Sequence, residues 1–127
     1  GPYAIQAAVA ALHAEADAVD HTDWPQIVAL YDLLLLRAPS PVVALNRAVA
    51  IAMRDGPLAG LTLLDGLADD EQLSTYHPLP AARAELLRKL GRTREAIAAY
   101  REALTLVGND PEHAYLEQRL QQLHPEP

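Results

Sequence analysis

HPLPAARAELLRKLGRTREAIAAYREALTLV, residues 77–107, carries two helical patterns joined by a tight turn at Leu90, Gly91, Arg92 and Thr93. Before the turn, Ala84, Leu87 and Leu90 recur at intervals of three. After it, Ala96, Ile97, Tyr100, Ala103, Leu104 and Val107 recur at intervals of three and four. Both are helical periods that gather apolar residues on one face. Ala84, Ala96 and Ala103 are small enough for two helix backbones to approach closely, and Tyr100 supplies bulk between them. A hairpin of this kind cannot bury its apolar face alone, so the fold turns on whether the pattern recurs.

It does recur. A shift of 36 residues carries Ala48, Gly60 and Leu64 onto Ala84, Ala96 and Tyr100, and Asp55 onto the turn glycine Gly91. From Trp24, intervals of three, seven, ten and fifteen reach Ile27, Tyr31, Leu34 and Pro39; from Thr93 they reach Ala96, Tyr100, Ala103 and Gly108. The unit resembles a tetratricopeptide repeat, a helix-turn-helix of about 34 residues. The expected fold is therefore all-α: a single tetratricopeptide-like α-solenoid over residues 1–127, with three helix-turn-helix pairs and a C-terminal capping helix. Helices are expected near 3–16, 24–38, 41–54, 58–68, 79–90, 94–107 and 111–123. Trp24, Tyr31, Ala48, Leu64, Ala84, Ala96 and Tyr100 are the expected core. Residues 17–23 make a longer turn than the repeat allows.

Local signals punctuate the helices. Asp23 and Ser40 are good N-caps, each followed by a proline, Pro25 or Pro41, in the first turn, where a missing N–H costs nothing. The residue before Pro39 is disfavoured in the helical region, which ends the preceding helix. Asp55-Gly56-Pro57 marks the next break, and residues 69–76 read as a polar connector before Pro78 and Pro80. Thr93 reads as the cap of the following helix, and Pro111 opens the last one. That last helix contains AYLEQRLQQL, polar on its outer face as a terminal cap should be.

Composition narrows the function. A net charge of −7 argues against nucleic-acid binding by this segment, because phosphate contacts need a basic face. Leu33 to Leu36 is the longest leucine run, far too short to span a membrane. No signal-peptide pattern is present, so a soluble, cytoplasmic protein is the simplest expectation. Without cysteine there is no disulfide, thiolate metal site or thiol nucleophile. His13, His21, His77, His113 and His124 form no pair at four-residue helical spacing with a third ligand, so no metal is expected. Ser40 is explained as a cap, Ser74 has no motif around it, and no glycine loop resembles a phosphate cradle. Neither an enzyme nor a cofactor is expected.

Polar residues set into apolar helical faces are more informative. Gln6 and His13 lie two turns apart on one face, Asn46 and Arg47 interrupt an apolar helix, and Tyr76 and His77 precede a helix that carries Arg83 and Glu85. The first helix of each pair lines the inner groove of such a superhelix. Tyr3, Gln6, His13, Asn46, Arg47, His77 and Arg83 are therefore candidates for a polar binding strip. The competing reading is that they are hydrogen bonds between helices, since buried polar groups must be paired.

Four motifs in fixed order carry a family resemblance: GPYAIQAAVAALHAEA, TDWPQIVALYDLLL, APSPVVALNRAVAIA and YHPLPAARAELLRKLGR. Together they resemble the C-terminal extension of extracytoplasmic-function sigma factors that carry a tetratricopeptide-like domain after sigma regions 2 and 4. The resemblance spans residues 1 to about 123, and its first motif begins with Gly-Pro-Tyr. The promoter-reading and polymerase-binding regions of such factors are absent from this chain. The resemblance implies a regulatory domain that tunes transcription initiation by touching the sigma regions, the RNA polymerase core, or a partner such as the small DGPF (YCII-related) proteins encoded beside such factors. It carries over Tyr3, Gln6, His13, Trp24, Asn46, Arg47, His77, Pro80 and Arg83, with Trp24 as packing. Two alternatives remain beside it: a groove that senses a small molecule, and a purely structural module that stabilises the sigma factor.

Overall fold

The computed structural model describes residues 22–108 and 110–123. The expected first helix, with Tyr3, Gln6 and His13, and the tail after Leu123 lie outside the described residues. Within them the chain is all-helical. Helices α1 (Trp24–Arg37), α2 (Pro41–Asp55), α3 (Pro57–Asp65), α4 (Pro78–Lys89), α5 (Thr93–Leu106) and α6 (Asp110–Gln121) follow in order, with a 3-10 turn at Glu71–Leu73 between α3 and α4.

Capping chemistry sets most boundaries. Asp23 accepts from the Gln26 N–H at 3.1 Å to start α1, and Ser40 accepts from the Val43 N–H at 3.3 Å to start α2. The turn after α4 closes with the Gly91 N–H on Arg88 O and the Arg92 N–H on Leu87 O, both at 3.0 Å. That bond pair needs a left-handed residue at its centre, and Gly91 supplies it at φ 76°. Two expectations need correction. Thr93 is the first helical residue and not the cap; that position falls to Arg92, whose guanidinium instead grips Glu95 at 2.7 and 2.9 Å across the first turn. Helix α3 stops at Asp65, short of residue 68, because the chain must turn to bury Leu73. That leucine is 2% exposed, so the polar connector is pinned to the core.

The helices pack as successive hairpins in the manner of an α-solenoid. The pairs α2–α3 and α4–α5 are tightly closed, α1 lies along α2, α3 meets α4, and α5 meets α6. Small residues allow the closest approach. A Cβ placed on Gly60 of α3 would lie 2.4 Å from Ala52 Cβ and 2.8 Å from Ala48 O of α2, so no side chain fits there. Ala96 holds the equivalent place in the next hairpin and is fully buried. All the expected core residues are in the core, from Trp24 at 4% to Tyr31, Ala48, Leu64, Ala84, Ala96 and Tyr100 at 0% exposure. Trp24, Val28 and Tyr31 pack with Ala50 and Ile51 between α1 and α2, while a larger cluster runs from Leu45 through Leu87 and Tyr100 to Leu116. Each fully buried leucine contributes about 1.5–3 kcal/mol, which makes this continuous stack the main source of stability.

Candidate functional site

Of the expected polar strip, Asn46, Arg47, His77 and Arg83 lie among the described residues. Eight of the twelve residues of α4 are buried, and α2 is covered on most of its circumference. Asn46 is 1% exposed; its Nδ2 donates to Val42 O at 3.0 Å, while its Oδ1 has no hydrogen-bond partner among the described residues. His77 sits half-buried at the N-cap of α4, with its ring 6.5 Å from that of Tyr76. Pro80 is buried in the same first turn.

Arg47 and Arg83 have a different task. Arg47 Nε of α2 meets Asp32 Oδ1 of α1 at 2.6 Å, and Arg83 Nε of α4 meets Asp65 Oδ1 of α3 at 2.9 Å. The 36-residue shift superposes Arg47 on Arg83, so one strut is made twice. Each ties the first helix of a hairpin back to the helix before it. The arginines are about 30% exposed and the aspartates about half, so each strut contributes on the order of 0.2–1 kcal/mol. Both arginines thus make interhelical ion pairs, the pairing that the competing reading of the strip describes.

A polar centre that the strip did not include lies deeper, where α4, α5 and α6 meet. Glu85 of α4 is fully buried. Arg88 Nη2 binds its Oε2 at 2.9 Å, the Tyr115 hydroxyl of α6 donates to its Oε1 at 3.0 Å, and Arg119 Nε stands 3.8 Å from the same oxygen. Arg119 also donates to the Tyr115 hydroxyl at 3.1 Å, so guanidinium, phenol and carboxylate form a relay from α6 into α4. The Tyr100 hydroxyl of α5 lies beside Glu85 and Arg88, and burial pushes it well above the ordinary phenol range; neither it nor Arg88 Nε has a well-formed hydrogen bond. Tyr115 is pushed up too, again chiefly by burial. One carboxylate between two guanidiniums is a charge lock that fixes α6 on α4. A signal for it existed in the sequence: the 36-residue shift carries buried Val49 onto Glu85 and Ala52 onto Arg88.

Beside this centre, Arg94, Ile97 and Arg101 of α5 and Leu120 and Leu123 line a cleft of about 320 Å³. Ile97, Leu120 and Leu123 are half-buried, and both arginines are exposed. Among the described residues, no His, Cys, Asp or Glu group could hold a metal ion, and no helix is long and apolar enough to cross a membrane.

The chain is 47% identical over 127 residues to an uncharacterized protein of Rhizobium meliloti, a match that covers all of this chain and 30% of that protein. The chain therefore spans less than a third of the relative's length. No family model matches the chain. No solved structure matches it.

Proposed function

We propose that this chain is the protein-interaction and regulatory domain of an extracytoplasmic-function sigma factor, acting by contact with the sigma regions, the polymerase core or a partner protein. The observation that carries the reading is the order of the four motifs along the sequence, from GPYAIQAAVAALHAEA to YHPLPAARAELLRKLGR. Two findings support it. The packing is that of a solenoid, an architecture that offers extended surfaces for partners. The relative carries the matching stretch within a much longer polypeptide, as a domain fused to others would be.

The test is transcription by the full-length protein with and without this domain, measured at equal sigma abundance. A regulatory contact predicts a change in transcripts made per sigma molecule. If deletion lowers abundance but leaves output per molecule unchanged, the domain is only a stabiliser and the proposal fails.

A further inference from the structure

The repeat register exposes a place where the third hairpin departs from the first two. The arginine of the strut recurs at 36-residue intervals as Arg47, Arg83 and Arg119. Its partner position recurs as Asp32, Asp65 and then Arg101, in the same register that places Tyr31, Leu64 and Tyr100 together. The third strut would therefore set two guanidiniums against each other. Arg119 turns inward to Tyr115 and Glu85 instead, and Arg101 is left exposed with no hydrogen bond or ion pair among the described residues.

The apolar positions next to the strut tell the same story. Val28 and Leu61 are 3% and 1% exposed, each covered by neighbouring helices. Their equivalent, Ile97, remains half-buried, because α6 leaves the cleft between itself and α5. What the first two hairpins have there and the third lacks is one carboxylate and one apolar cover. The charged side chains that line the cleft, Arg94 and Arg101, are both cationic and exposed.

We propose that the α5–α6 cleft docks a peptide segment of a partner protein that combines acidic and leucine-type side chains. Its apolar side chain covers Ile97, Leu120 and Leu123, and its carboxylate pairs with Arg101 as Asp65 pairs with Arg83. The inference rests on the reading of the chain as a protein-interaction domain, and names the surface and the chemistry of the partner.

The probe is acetyl-Leu-Glu-Leu-Asp-Leu-amide, titrated into the isotope-labelled 127-residue chain and followed by amide chemical shifts. Shifts are expected at Ile97, Arg101 and Leu120 and not at Leu33 or Leu36, which lie exposed on α1. The same peptide with Gln and Asn in place of Glu and Asp should bind roughly fivefold more weakly, the scale of one exposed ion pair. Arg101→Asp, an exposed change whose folding is checked by circular dichroism, restores the acid opposite Arg119 and should abolish binding. Equal affinity for the two peptides, no shifts at the cleft, or undiminished binding by Arg101→Asp overturns the proposal. Capture of the sigma regions, the polymerase core and a DGPF-type partner in trans separates the two readings: capture undiminished by Arg101→Asp removes the cleft alone, whereas no capture of any of them by the unmodified chain removes the interaction reading.

Discussion

The second hairpin, α2–α3, and the third, α4–α5, share a backbone plan and differ in what fills it. Where the second has Val49, Ala52 and Leu64, all buried, the third has Glu85, Arg88 and Tyr100. The second is held by apolar packing closed to the limit at Gly60. The third, with Ala84 and Ala96 buried at the corresponding places, spends its central positions on a charge lock to α6. Repeat stability is close to a sum over units and their interfaces, so one unit can change chemistry without disturbing the next. The difference lies at the end of the stack, where a polar centre fixes the direction of the last helix and leaves a cleft beside it.

The strongest way to break this contrast is to write the second hairpin into the third. Glu85→Val leaves Arg88 and Arg119 facing a buried space without their carboxylate, and should cost about 3–5 kcal/mol in urea unfolding. Adding Arg88→Ala, which completes the Val49–Ala52 pair, should recover part of that loss, because apolar replacement of a buried ion pair is often close to neutral. Hydrogen exchange in α6 should rise in the single variant. Unchanged exchange there would show that the lock does not hold the helix. The reverse attack on the second hairpin is Gly60→Val, which forces atoms onto Ala52 and Ala48 and should cost about 1–3 kcal/mol by thermal melting.

Much of the fold could be read from the sequence, because the signals were local or periodic. Asp23 and Ser40 announced their caps, Gly91 its turn, and the 36-residue shift the buried set from Ala48 to Tyr100. The site was less legible. For Arg47 and Arg83 the sequence left a groove and interhelical pairing both open, because their partners Asp32 and Asp65, 15 and 18 residues upstream, lie across a helix interface. Glu85 reads only as a polar residue on an apolar helix beside Arg83, since the partner that encloses it comes from α6, 30 residues downstream. Helix period says which face a residue occupies; it does not say which helix covers that face.

Smaller effects sharpen the contrast. Asp32→Asn and Asp65→Asn each remove one strut and should cost less than about 1 kcal/mol, with the difference from the unmodified chain shrinking in high salt. A loss several times larger would mean the struts carry the superhelix. The smallest effect at neutral pH is that of the buried phenols. Burial raises Tyr31 to about 12, against about 10 for an exposed phenol. A raised phenol pKa means the unfolded chain releases its proton first, so Tyr31 favours the native state fully below pH 10 and progressively less as pH rises toward 12. Ultraviolet titration should show Tyr31, Tyr100 and Tyr115 ionising later than an ordinary phenol, with stability falling over that interval. Ionisation of all three near pH 10 would contradict their burial.

The claim on which the account rests is that this helical stack works by binding other protein regions. On the proposed reading, titration calorimetry of the 127-residue chain against sigma regions 2 and 4 tests this directly. A saturable one-to-one isotherm, weakened by Arg101→Asp, is the predicted result. No heat and no co-elution from a chain that remains folded would contradict it.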